Sequence, residues 1–534
     1  MKTTKTFIFQ FLLTTSLSLS VLSLLDIGLN AKTDVGHFFS LNYAHGTNII
    51  DFYQRIELDK AWNITTGSSS ASIGIVDSGI DSSYAELSNN LDYSLSCDFY
   101  SQNRGALTSI NNHHGTFVAR RLGGDGSLGF SYSGVSLDVN LISLRIDSNI
   151  SPYNEDLTYL INAIVYATNN NIPVLNFSGG FYENEINFLQ ESALRLALSV
   201  YPGLFVCAAG NGNQNTSNPE MYDIDSDGYH LYPACFDLDN ILVVGGTEED
   251  SDAIHNGMTN YGTTSVDLFA PGGEGTSLAA PLVAGTAALM LSVNPNLTAA
   301  QLKQKIMNSV DQISGYNNYC VSGGRLNVYK SVLSALPVLQ EGTNLSTCEL
   351  EYGVDQWYQF TCDYGYYSIQ TTGNVDTIGY LYSNPLGNPI CSSSSGGSGN
   401  NFLISQHLTP GTYYLRVSAN PYSPSAQFNI VFNNHSHLYN DYSVPAGPTK
   451  HRSYCECGAS QLKPHVFPVD PNGIIMPCVV CGYSNGGLIL SNLNFELESF
   501  NTDSYISKDG VLYLGSYDYN DYINYLTKGG MINE

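Results

Sequence analysis

The sequence predicts an α/β fold in which a parallel sheet carries helices on both faces. A small antiparallel β-sandwich and a Cys-rich module follow it. Two observations carry this expectation. From Ala71 to about Val332, short buried-strand runs alternate with segments of helical spacing, the pattern of a parallel sheet covered on both faces. After about Pro337 the pattern changes to short alternating strands separated by Gly/Ser-rich turns such as Ser392 to Gly399, as in a sandwich.

Each element follows from its residues. Ser72 to Asp77 (SIGIVD) is a buried-strand pattern ending in the turn Ser78-Gly79. Leu141 to Ile146 is a second strand, and Leu157, Leu160, Ile161, Ile164 and Val165 fall at helical spacing. Val174 to Phe177, Leu204 to Ala209 and Ile241 to Val244 are further buried strands, while Ala279 to Leu291 and Ala299 to Val310 read as helices. The sandwich strands are Tyr358-Phe360, Tyr366-Thr371, Thr377-Tyr382, Phe402-Leu408 and Thr412-Val417.

Charge and leader narrow the function. The 534 residues carry a net charge of −27, from 47 acidic and 20 basic side chains. Such a surface repels phosphate backbones and argues against nucleic-acid binding. Lys2 and Lys5 precede an apolar stretch from Phe7 to Leu25, and Leu29-Asn30-Ala31 offers a small-residue cleavage site. This is the layout of a secretory signal peptide over residues 1–31, with an uncleaved anchor as the competing reading. No later segment reads as a membrane span, so a secreted or cell-surface protein is expected. A short N-terminal arm over 32–58, the α/β domain over 59–335, the sandwich over 340–433, a Cys/His-rich module over 435–483 and an extension over 484–534 complete the expected organisation.

Four motifs carry chemistry. Asp77 ends a buried strand in Val76-Asp77-Ser78-Gly79, where a carboxylate is fixed and partly desolvated. His114 opens an apolar helical pattern in His114-Gly115-Thr116-Phe117, beside a second imidazole at His113. Asn211 lies past a buried strand in Ala209-Gly210-Asn211-Gly212. Ser277 opens the most apolar helix, in Gly275-Thr276-Ser277-Leu278-Ala279-Ala280-Pro281, with Pro281 placed in the first turn, where proline is tolerated. Singly, each is better explained as a turn, a cap or a structural His. Together they supply what acyl transfer needs: nucleophile, base, orienting carboxylate and oxyanion donors.

In this order the motifs resemble the subtilisin-like protease (subtilase) family, whose three signatures match Ile75 to Asp81, His114 to Ala119 and Gly275 to Gly285. Ala61-Trp62, Thr65-Thr66-Gly67, Tyr261-Gly262, Ala270-Pro271-Gly272 and Gly323 to Asn327 extend the match over about residues 52 to 332. The resemblance implies a serine endopeptidase acting on proteins or peptides through an acyl-enzyme, with Asp77, His114 and Ser277 as triad and Asn211 as oxyanion donor. It places substrate along Ser178, Gly179, Gly180, Ala209 and Gly210. No cofactor is needed for that chemistry. The competing readings are a pseudoprotease or surface-binding protein using the C-terminal modules, and another serine hydrolase. The esterase fold with G-x-S-x-G lacks support here.

Several positions depart from the family. Phe117 and Leu282 stand where His is usual, and Arg120 where Gly is usual. Only Gly272 to Thr276 separate Pro271 from Ser277, where relatives carry a longer loop. The arm from Lys32 to Leu58 is too short for the usual inhibitory propeptide, so a chain starting at Lys32 is expected to be active without autocleavage.

Metal expectations rest on two patterns. Asp223, Asp225 and Asp227 precede Gly228 as D-x-D-x-D-G, which fits either a calcium loop or a solvated acidic loop. Asp125 and Glu86 are weaker calcium positions. Cys455, Cys457, Cys478 and Cys481 fit a structural zinc or two disulfides. Residues 340 to 432 resemble a bacterial pre-peptidase C-terminal domain in Trp357 to Phe360, Asp376 to Gly379, Asn400 to Phe402 and Gly411 to Val417.

Overall fold

The computed structural model describes residues 51–101, 103–104, 113–146, 153–213, 219–254, 257–273, 275–346 and 349–435, with short strands beyond. The expected signal peptide, most of the N-terminal arm and Cys455, Cys457, Cys478 and Cys481 lie outside the described residues.

The main elements of the first unit are β1 (Gly67–Asp77), α1 (His114–Gly123), β2 (Asp138–Arg145), α2 (Tyr153–Asn169), β3 (Val174–Phe177) and α3 (Phe188–Val200). They continue with β4 (Leu204–Ala208), β5 (Ile241–Thr247), β6 (Leu268–Pro271), α4 (Thr276–Val293), α5 (Ala299–Asn308) and α6 (Val328–Ala335). The central strands run in the order β6-β5-β4-β3-β1-β2 and pair in parallel. Short strands extend both edges to ten strands in all. From β1 the chain steps one way to β2, then returns to β3 on the other side. The C-terminal ends of β1 and β3 therefore flank a topological switch point, where open α/β sheets place their sites.

Helix α4 is apolar around most of its circumference because the sheet and its neighbours bury it. It is the one described helix long and apolar enough to cross a membrane, and 78% of it is buried inside the protein. Its Gly285 lets α1 approach closely: a Cβ there would meet Leu122 O at 3.1 Å and Val135 Cβ at 2.7 Å. Pro281 differs from expectation. The helix starts at Thr276, so Pro281 sits inside it, beyond the first turn.

Helix α3 was not anticipated. Its Phe188, Leu189, Leu196 and Val200 are exposed while Leu194, Ala197 and Leu198 are buried, so apolar residues on both faces blur its period. A capping box between Asn187 and Gln190 sets its start.

The described end of the N-terminal arm belongs to the core. Phe52, Tyr53, Ile56 and Leu58 are buried with Trp62 and the α4 face, and Val328 N donates to Ile56 O at 2.8 Å. The Arg121 guanidinium lies 4.3 Å from the Phe52 ring.

Strands form where the alternation placed them. Gln356–Cys362, Gly411–Ala419, Thr377–Tyr382 and Cys391–Ser393 make one four-stranded sheet. Its Trp357 and Tyr382 join the hydrophobic core that holds Tyr329 and Val332 of α6. The Arg416 guanidinium stacks 4.2 Å from the Tyr380 ring and 5.9 Å from Trp357. The second unit includes two three-stranded sheets, one of Ser443–Pro445, Lys450–Tyr454 and Ser460–Pro464, the other of Val466–Pro468, Val511–Tyr513 and Tyr505–Ile506.

Candidate active site

Asp77 closes β1 and is buried. Its Oδ1 accepts from Ser78 N at 2.7 Å. His114 is the first residue of α1, and its Nδ1 lies 2.8 Å from Asp77 Oδ1 and 3.0 Å from Oδ2. Ser78 Oγ accepts from Gly115 N at 3.0 Å, tying the helix start to the strand end. Of the two neighbouring imidazoles, it is His114 that meets Asp77. His113 turns away toward Asp81, with Nδ1 3.9 Å from Oδ2. An Nδ1–H held by a carboxylate fixes the imidazole tautomer and leaves Nε2 as the basic nitrogen.

Ser277 is the second residue of α4. Its Oγ donates to Ser178 O at 3.1 Å, and Ser178 Oγ donates to Ser277 O at 2.8 Å. The second bond has a sequence cause. Pro281 has no N–H, so the carbonyl four residues earlier, that of Ser277, loses its helical donor. The Ser178 hydroxyl takes that place and joins the end of β3 to Ser277.

Asn211 follows β4. Its Oδ1 accepts from Thr276 N at 3.0 Å and Thr276 Oγ1 at 3.1 Å. A backbone N–H can face only the amide oxygen, so the orientation is fixed and Nδ2 is the donor end available to an incoming group. Gly275, at φ 145°, permits this approach: a Cβ there would stand 3.0 Å from both Asn211 Nδ2 and Oδ1. The short Gly272–Thr276 connection is held by Thr247 O, which accepts from Gly272 N and Gly273 N, each at 3.0 Å.

Sequence reasoning missed three supporting residues. Thr276 orients Asn211. Tyr182 Oη donates to Asn211 O at 3.0 Å, and Asn260 Nδ2 donates to Tyr182 Oη at 3.1 Å and to Ala209 O at 3.0 Å. Burial pushes the Tyr182 phenol up, opposed by the Asn260 bond, which keeps it a donor. No motif marks Tyr182 or Asn260, because their partners lie far away in sequence, and Thr276 stands in the Ser277 motif without showing that it faces Asn211.

The departures at Leu282 and Arg120 have structural explanations. Leu282 is fully buried in the α4 core. Arg120 Nε lies 2.7 Å from Oε1 of buried Glu86, and its guanidinium sits between the Tyr84 and Tyr132 rings at 5.4 and 5.6 Å. Phe117 is exposed beside His113, and nothing in the structure explains the change there.

The acidic loop does not assemble as a cation cage. Among the described residues no group of three or more His, Cys, Asp or Glu side chains converges on a common point. Asp225 instead turns inward, where Oδ2 accepts from Thr264 N at 2.9 Å and Thr263 Oγ1 at 3.3 Å. Asp223 is used by Asp225 N at 3.1 Å and Ser226 Oγ at 3.1 Å. Asp227 takes part in neither set of bonds. These hydrogen bonds engage two of the three carboxylates on which the calcium expectation rests. Glu86 pairs with Arg120, and Asp125 accepts from Asn89 Nδ2 at 2.6 Å. Cys207, Cys235, Cys320, Cys362 and Cys391 are free thiols.

Residues 68–329 match the subtilase family. The chain carries a subtilase domain. Similar curated proteins include a thermophilic serine proteinase from Bacillus sp., 29% identical over 301 residues, which cover 52% of this chain and 66% of that protein. Thermitase from Thermoactinomyces vulgaris is 28% identical over 297 residues, covering 52% of this chain and 94% of that protein. A calcium-dependent protease from Nostoc sp. is 25% identical over 346 residues, covering 54% of this chain and 50% of that protein. The chain thus spans two thirds or less of the first and third relatives and nearly all of thermitase. All three alignments leave a large part of this chain unmatched beside the subtilase domain.

Proposed function

We propose that the protein is a secreted serine endopeptidase in which Asp77, His114 and Ser277 form the catalytic triad and Asn211 the oxyanion donor. The observation that carries the reading is the Asp77 carboxylate holding His114 Nδ1 at 2.8 and 3.0 Å, on the helix that packs against the Ser277 helix. The protease relatives support protein or peptide substrates.

The chemistry follows from these positions. Ser277 Oγ gives up its bond to Ser178 O and attacks the scissile carbonyl carbon, while its proton passes to His114 Nε2. Asp77 stabilises the imidazolium. The carbonyl oxygen becomes an oxyanion, held by Asn211 Nδ2 and the Ser277 N–H near the N-terminus of α4. His114 then returns the proton to the leaving amine as the C–N bond breaks. Water, deprotonated by His114, cleaves the acyl-enzyme and releases the second product.

Secretion rests on the Lys2-to-Ala31 pattern. The sandwich and the Cys-rich segment are non-catalytic companions in this reading. No catalytic step in this reading needs a calcium ion. The deciding experiment is labelling with a fluorophosphonate. Wild type reacts at Ser277 and cleaves casein, Ser277→Ala does neither, and His114→Ala loses nearly as much because the triad acts as a unit. An unlabelled wild-type protein would identify a pseudoprotease.

A further inference from the structure

We propose that Leu231 plugs the side-chain pocket beside Ser277 and restricts the residue on the acyl side of the cleaved bond to small side chains such as Ala. This deepens the endopeptidase reading and rests on it.

The two segments expected to hold substrate leave neighbouring strands. Ser178, Gly179 and Gly180 follow β3, and Ala209 and Gly210 follow β4. Ser178 exchanges hydrogen bonds with Ser277, and Asn211, next after Gly210, is held by Thr276. A residue whose carbonyl carbon meets Ser277 and whose oxygen meets Asn211 must point its side chain between these segments.

Glycines at 180 and 210 would leave room there for a large side chain, but that room is filled. A Cβ on Gly180 would meet Leu231 Cγ, Cδ2 and Cδ1 at 2.8, 2.9 and 3.0 Å. A Cβ on Gly210 would meet Leu231 Cδ2 at 2.6 Å. One leucine thus contacts both walls, and it is 2% exposed.

The leucine is also anchored. Leu231–Tyr232 pairs antiparallel with Phe181–Tyr182, directly after Gly180. Cys235 Sγ accepts from Leu231 N at 3.3 Å and donates to Ile224 O at 3.2 Å, and Cys235 N donates to Leu231 O at 2.8 Å. Burial pushes the Cys235 thiol up to about 11, so it stays protonated and keeps this role at neutral pH. Moving Leu231 aside would break these bonds, so a large substrate side chain collides with a fixed floor. One methylene too many in such a pocket costs about 10- to 200-fold in kcat/KM.

The test uses the full chain with peptide p-nitroanilides that differ only in the residue before the nitroanilide: Ala, Leu or Phe. Enzyme is counted by fluorophosphonate titration. Wild type is expected to prefer Ala over Phe by about tenfold or more in kcat/KM. Leu231→Ala should raise the Phe-to-Ala ratio by about tenfold or more. Leu231→Val, a milder change that guards against misfolding, should move it the same way by less. A wild-type preference for Phe, or a ratio unmoved in the folded variants, overturns the inference while leaving the endopeptidase reading intact. A wild type that neither labels nor cuts any peptide removes both.

Discussion

Thr276→Val is the sharpest probe of how Asn211, the proposed oxyanion donor, is held. The substitution deletes one hydroxyl at nearly constant shape in a fully buried side chain. It removes the 3.1 Å bond from Thr276 Oγ1 to Asn211 Oδ1 and leaves the 3.0 Å bond from Thr276 N. A neutral hydrogen bond contributes about 1 kcal/mol net, so a loosened Asn211 should lower kcat by about three- to tenfold. Asn211→Ala should lower it by roughly 10²–10³-fold with little change in KM, because the amide acts on the transition state. In the Asn211→Ala background the hydroxyl has no amide to orient. Adding Thr276→Val there should then cost under about twofold, a non-additive cycle. The assay is hydrolysis of the Ala p-nitroanilide, with enzyme counted by fluorophosphonate titration and melting curves to verify folding. The same loss factor in both backgrounds would refute the positioning role.

Two further outcomes concern stability. Burial alone would raise the Asp225 carboxyl, but bonds from Ser265, Thr264 and Thr263 hold it below 3.8. A depressed carboxylate stabilises the fold above its unfolded pKa, and that stabilisation is lost as pH falls through the folded one. Asp225→Asn should therefore lower the melting temperature at pH 7 by the equivalent of about 1 kcal/mol, equally with and without EDTA, and the gap from wild type should close below about pH 4; a gap abolished by EDTA would restore the calcium loop. Trp357→Ala, which removes a buried ring from the shared core, should cost about 3–5 kcal/mol in denaturant unfolding, and a single unshifted transition would show that the sandwich is energetically separate.

Much of this was readable because it is local. Val174 to Phe177 and Thr377 to Tyr382 form strands with the bounds their patterns imply, since β-branched and aromatic runs between turns admit little else. Asp77, His114, Asn211 and Ser277 stood out because each ends or begins an apolar element. The supporting layer was hidden. Tyr182 and Asn260 reach the site only through folding, and Leu231 fills a space left open by Gly180 and Gly210, both distant in the chain. The hydrogen bonding within the D-x-D-x-D-G loop was hidden for a related reason. Spacing placed the carboxylates close in sequence, but Thr263 and Thr264, distant in the chain, drew Asp225 inward. The role of Ser178 toward Ser277 O depends on a donor that Pro281 lacks, which only the helix start at Thr276 brings out.

The burial of Phe52, Tyr53 and Ile56 sets a limit on trimming from the N-terminal side. A cut beyond Phe52 would strip the ring beneath the Arg121 guanidinium, and one beyond Tyr53 would leave Ser133 O without its phenolic donor. Loss of Ile56 would take away the carbonyl that receives Val328 N at the head of α6. A nick in this stretch therefore opens the hydrophobic interior itself. Whatever leader peptidase or passing protease meets the nascent enzyme, the stable product must begin ahead of Phe52.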